Sequence, residues 1–158
     1  MVLSKSQMEA GTRRLKEEEK AGEKALRDQG KREEAARLKG IIGELVQELE
    51  DGSRAGGLDA YVRFFCPETV SFLDYFPAGD SLVFLDEPAR LREKGETVET
   101  EFRESMIQRL EKGYLLPGQT ELLYPSSQVL ARLQRPYSVL LTGLDQKLPG
   151  MKVNGKFS

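Results

Sequence analysis

An α/β fold is what the sequence predicts: a partial parallel sheet with flanking helices, preceded by an antiparallel helical hairpin. Three observations carry this. Residues 6–50 hold apolar side chains at three- and four-residue spacings on a highly charged background. Two continuous apolar runs, 81–85 and 137–142, read as strands buried on both faces. A long helical pattern and a short one lie between them, which is the order of a right-handed crossover in a parallel sheet.

The elements follow in order. Residues 6–26 are dominated by Glu, Lys, Arg and Ala, all good helix formers, with a thin apolar stripe of Met8, Leu15, Ala25 and Leu26. Gly30 is suited to end this helix in a left-handed conformation. The second helix has a stronger stripe: Ala35, Leu38, Ile42, Leu45 and Leu49, widened by Ile41 and Val46. A short connection predicts that the two fold back on each other. Gly40 and Gly43 lie inside the second helix and each costs about 1 kcal/mol relative to Ala, which close helix packing would offset. Residues 50–57 are a stop and linker. Aromatics then cluster as expected core: Tyr61, Phe64, Phe65, Phe72, Tyr75 and Phe76. Pro88 suits the first position of a helix, whose face is Leu91, Val98, Phe102, Met106 and Leu110 and whose end is near Gly113. Ser126-Ser127 is positioned to cap a short helix over 128–133. The expected organisation is a hairpin and linker at 1–55, an α/β part at 56–147 and an irregular tail at 148–158. Two strands do not make a stable open parallel sheet, because both faces need cover. The remaining strands and their covering elements are therefore expected outside this stretch.

Composition excludes several chemistries. The 158 residues are 39% apolar and 32% charged with a net charge of -2, so no overall electrostatic pull toward nucleic acid or membrane is expected. The chain contains no histidine, which removes Ser-His and Cys-His nucleophile pairs and the commonest zinc ligand. One cysteine, Cys66, cannot form an internal disulfide and reads as a small buried hydrophobe. No apolar run is long enough to span a bilayer, and MVLSKSQMEA lacks the apolar core of a signal peptide. A cytoplasmic location without membrane contact is the expectation.

Three stretches carry a resemblance: LRDQGKREEAARLKGIIGELVQELEDG (26–52), GGLDAYVRFF (57–65) and FLDYFPAGDSLVFLDEPARL (72–91). Together they resemble the UvrB-like N-terminal module of the transcription-repair coupling factor (Mfd) family, in the second half of its split RecA-like domain. The excision-repair protein UvrB shares the hairpin, the Leu-Asp-Tyr-Phe-Pro turn and an Asp-Glu strand end. It follows that pair with Ser-His, whereas this chain has Pro88-Ala89-Arg90-Leu91. That departure favours the coupling factors, whose similar module has lost its ATP site. The resemblance implies a parent that recognises stalled RNA polymerase, displaces it with an ATP-driven DNA translocase and recruits UvrA for nucleotide excision repair. This stretch would be a non-catalytic scaffold without a cofactor of its own. Its partners would be the remaining domains of the parent and, through them, UvrA, RNA polymerase and DNA.

The candidate catalytic residues are Asp86 and Glu87, at the end of an apolar strand. In an active nucleotide hydrolase such a pair orders magnesium and polarises water, but it needs a Gly-x-x-x-x-Gly-Lys-Ser/Thr loop, and the sequence contains none. The preferred reading is a remnant of such a site, kept because acids are favoured at a helix N-terminus by about 0.3–1 kcal/mol. No metal-binding or cofactor-binding residues are assigned. Two alternatives stay open: part of the ATP-binding domain of UvrB, and a stand-alone helical interaction module. Burial of Leu38, Ile42, Leu45 and Leu49 would mark the hairpin stripe as structural; exposure would mark it as a partner surface.

Overall fold

A computed structural model of the chain describes residues 3–52, 56–134 and 137–143. The expected tail at 148–158 lies outside the described residues, as does the middle of the linker, 53–55. The described part is mostly helical, with one small parallel sheet. None of its helices is long and apolar enough to cross a membrane. Two compact units emerge: Met1–Thr69 with Phe102–Leu123, and Val70–Glu101 with Tyr124–Ser158.

The first unit is built on the hairpin. Helix α1 (Lys5–Asp28) begins at a capping box. Gln7 N–H donates to Ser4 Oγ at 3.2 Å, and Ser4 N–H donates to Gln7 Oε1 at 3.0 Å. It ends as the glycine predicts. Gly30 sits at φ 79°, while Lys31 N–H reaches the Leu26 carbonyl and Gly30 N–H the Arg27 carbonyl, each at 2.9 Å. Helix α2 (Arg32–Glu50) then returns with Ala35, Leu38, Ile42, Leu45, Val46 and Leu49 buried. They form one core with Leu15, Leu26, Phe64, Phe65 and Leu116. The stripe is structural, so the hairpin does not present it to a partner.

Helix α3 (Val62–Phe65) is a single turn that drives Phe64 and Phe65 into this core. A Cβ on Gly11 would lie 2.1 Å from Phe65 Cδ1, so α1 must be bare at that point. Gly113 has two reasons to be glycine: its φ is 70°, and a Cβ would lie 2.1 Å from the Glu34 carbonyl oxygen. Gly40 and Gly43 have none of this. Nothing stands within 4 Å of a Cβ at either, so the expected compensation by close packing is absent.

The second unit contains strands β1 (Val83–Asp86) and β2 (Ser138–Leu141). They pair in parallel, Val83 opposite Ser138 and Phe84 opposite Val139, as the crossover pattern predicts. Helix α4 (Pro88–Glu111) follows β1 and starts at the proline. Helix α5 (Ser126–Leu133) starts two residues earlier than expected and is capped differently. Ser126 and Ser127 lie inside its first turn, and the Glu99 carboxylate accepts both the Ser126 N–H (3.0 Å) and its Oγ–H (2.9 Å).

Two expectations fail in this unit. Phe72 and Tyr75 are not core: they are 74% and 73% exposed, and Phe76 is exposed as well. The strand run is not buried on both faces either, since Leu85 is 4% exposed but Phe84 is 61% exposed. Both failures have one cause. Among the described residues the sheet has two strands, and no described element covers these side chains. The face of α4 is likewise only partly covered, with Leu91 and Val98 exposed.

The glycines give a direct test. Gly11→Ala overpacks the core against Phe65 and should destabilise the chain by about 1–3 kcal/mol. Gly40→Ala meets open space inside a helix and should stabilise it by up to about 1 kcal/mol. Urea denaturation followed by circular dichroism reads both; equal midpoints for the two variants would contradict the packing described.

Candidate functional site

Asp86 and Glu87 mark the first place to look. Asp86 closes β1 opposite Leu141 and is exposed. Glu87 adopts φ 46°, rare for a residue with a side chain. Its neighbours hold it there. Glu87 N–H donates to the Leu141 carbonyl at 2.8 Å, continuing the ladder by one bond, and its own carbonyl accepts Leu91 N–H at 3.1 Å from the first turn of α4. The carboxylate Oε1 accepts Gly143 N–H at 2.7 Å. The side chain thus ties the end of β1 to the loop after β2. This is a structural task that the sequence did not suggest. Neither carboxylate lines the hollow described below. Among the described residues no group of three or more Cys, Asp or Glu side chains is placed to hold a metal ion.

A second constellation was missed in the sequence. The 3-10 turn Phe72–Tyr75 is closed by Asp74, whose Oδ2 accepts Ser71 N–H at 2.6 Å and Ser71 Oγ–H at 3.0 Å. Arg132 of α5 donates through Nη1 to Ser71 Oγ at 2.8 Å and pairs with Asp74 Oδ1 through Nη2. The Arg132 hydrogen bond holds the Asp74 carboxyl below the usual carboxylate range, and the Ser71 N–H and hydroxyl add to it. The local half was legible: Ser-x-x-Asp is a capping-box pattern. The arginine, 58 residues away, left no local signal. Beside this link lies a hollow of about 310 Å³ with Phe72, Leu73, Tyr124 and Val129 among its walls. Phe72 and Phe76 meet edge to face, with centroids 5.0 Å apart.

The first unit offers structural polar groups. Gln119 is buried, and its Oε1 accepts Leu116 N–H at 2.8 Å. It also hydrogen-bonds Tyr61, whose hydroxyl burial pushes above its ordinary pKa, the Gln119 bond offsetting part of the rise. Arg37 donates to the Lys112 carbonyl just past α4 and lies 4.8 Å from the Tyr114 ring centroid. Arg14 donates to the Phe64 carbonyl, and Glu18 accepts Gly118 N–H. Cys66 is free and half-buried beside the core. Each of these contacts closes a turn or a helix end within the unit.

No family model matches the chain. It is similar to the transcription-repair-coupling factor of Bacillus subtilis (strain 168). The two are 30% identical over 111 residues, 68% of this chain and 9% of that protein. The chain therefore spans a small part of the relative it matches.

The Asp74–Arg132 link makes a prediction about pH. A carboxyl whose pKa is lowered in the folded state stabilises it above the unfolded value, and that contribution is lost as pH falls through the lowered one. Carbon-detected NMR titration should place Asp74 below an ordinary aspartate, and Arg132→Ala should move its midpoint upward. An unmoved midpoint would remove the arginine as the principal cause.

Proposed function

We propose that the chain is a non-catalytic scaffold segment of a DNA-repair protein of the transcription-repair coupling kind. In this reading the second unit is part of a degenerate RecA-like domain, and the rest of its sheet comes from elsewhere in the same long polypeptide. The observation that carries the proposal is that, among the described residues, the parallel sheet has two strands and an exposed apolar side. Parallel sheets are otherwise covered on both faces. The similarity over 9% of a far longer relative supports the same conclusion from an independent direction.

The parent would act in transcription-coupled repair in the cytoplasm, displacing stalled RNA polymerase by an ATP-driven motor and recruiting UvrA. This segment would supply neither the ATP site nor the motor. Its direct partners would be the other domains of the parent. DNA, RNA polymerase and UvrA would be reached through them. The position of Glu87 supports a structural role over a hydrolytic one, because one carboxylate oxygen is committed to Gly143 N–H.

Two measurements test this. An antibody against the chain, with peptide mapping of the band it detects, should find a polypeptide far longer than 158 residues. A band of the chain's own size would overturn the scaffold reading. In the native-length protein, Glu87→Gln should leave ATP hydrolysis within about twofold of normal, a rate factor worth less than 0.5 kcal/mol by the ~1.4 kcal/mol-per-decade rule. Loss of hydrolysis by orders of magnitude would instead support the reading as part of a UvrB-type ATP-binding domain.

A further inference from the structure

Helix α4 is long and has little to hold its middle. Of its 24 residues only Pro88, at the start, is buried. Helices in folded proteins draw most of their stability from a packed apolar face. On α4 that face is thinly covered: Leu91 and Val98 are exposed, and Phe102 and Met106 are half-buried. The first half is tied to the start of α5. Glu99 accepts both Ser126 hydrogen bonds, and a Cβ on Gly95 would lie 3.1 Å from Ser126 Cβ. Just past the far end, α2 takes hold: Arg37 donates to the Lys112 carbonyl, and the Glu34 carbonyl crowds Gly113.

The local chemistry is weakest between these ties. Residues 97–102 read Thr-Val-Glu-Thr-Glu-Phe. Branching at Cβ, or an aromatic ring, restricts χ1 against the preceding turn, so Thr97, Val98, Thr100 and Phe102 are all poor helix formers. The residues before them, Ala-Arg-Leu-Arg-Glu-Lys at 89–94, are good ones. Both threonines also turn back on the helix. Thr97 Oγ1–H donates to the Glu93 carbonyl and Thr100 Oγ1–H to the Glu96 carbonyl, each at 2.9 Å. These are the carbonyls that the ladder itself uses. Hydroxyls bonded in this way compete with the ladder and bend helices. The chain passes from one compact unit to the other at 101–102, at the end of this same turn.

We propose that α4 is jointed at residues 97–102: this stretch opens and bends while the helix on either side stays formed. Propensity, back-bonded hydroxyls, thin burial and the unit boundary all fall on the same six residues. The inference rests on α4's own residues and does not depend on the scaffold reading.

The test is amide hydrogen exchange of the native-length protein, read residue by residue by mass spectrometry with electron-transfer fragmentation. Local opening exposes the amides it frees. Protection factors at 98–104 should be about tenfold lower than those at 92–96 and 106–111 of the same helix. The double variant Thr97→Ala, Thr100→Ala removes both back-bonds and installs the best helix former at two exposed sites. It should raise protection at 98–104 severalfold and leave 92–96 unchanged. Even protection along α4, a minimum elsewhere in it, or a double variant that exchanges as the parent does would overturn the inference. Loss of protection spread over the whole helix would overturn it as well, since a joint requires formed helix on both sides.

Discussion

Close approach of backbone to ring is the constraint on which the first unit depends. Phe65 can reach the hairpin core because α1 presents Gly11 where any side chain would collide with the ring. With Phe65 in place, the α3 turn is fixed. The Phe64 carbonyl then faces Arg14, and Gly118 approaches the Phe64 ring so closely that a Cβ would lie 2.8 Å from Cζ. Gly113 repeats the arrangement at the Glu34 carbonyl. Glycine in a helix is normally a loss of about 1 kcal/mol. At Gly11 that loss is offset by burial of a large aromatic side chain, which stabilises by roughly 1.5–3 kcal/mol. Gly40 and Gly43 show the contrast: the same residue type in α2 without a neighbour to justify it.

The second unit is held by polar ties more than by an apolar core. Glu87 joins the strand end to the loop after β2, Glu99 caps α5, and Arg132 fastens the Phe72–Tyr75 turn through Asp74 and Ser71. Leu85 and Leu130 are buried in it, but Phe72, Tyr75, Leu82, Phe84 and Val98 are exposed. A surface ion pair is worth little by itself, about 0–1 kcal/mol, so such ties set geometry more than they set stability.

The sequence told most about the parts whose signal is local. Helical periodicity located both arms of the hairpin and its buried stripe. Gly30 and Gly113 located two helix ends because each takes a left-handed conformation. Pro88 located the start of α4. The pairing of β1 with β2 was legible from the order of elements, since a strand–helix–strand pattern admits few topologies. Burial of the aromatics was not legible. Phe64 and Phe72 look alike in composition, and they differ only in whether another element arrives to cover them. The ties from Arg132 and Glu99 were hidden for a related reason, as each bridges a long stretch of chain without any pattern between its ends. At the candidate site the sequence correctly placed Glu87 at a helix N-terminus but gave no sign of its bond to Gly143.

Helix α4 carries a consequence for how this stretch can be inherited or cut. The chain passes between the two units at 69–70, at 101–102 and at 123–124, and the middle passage lies inside α4. No single excision releases either unit whole. A gene fragment ending anywhere between residues 70 and 123 truncates both at once. Recombination that swaps domains between related proteins would therefore have to exchange the pair together. The interleaved chain path makes the two units one heritable module, even though each has its own internal contacts.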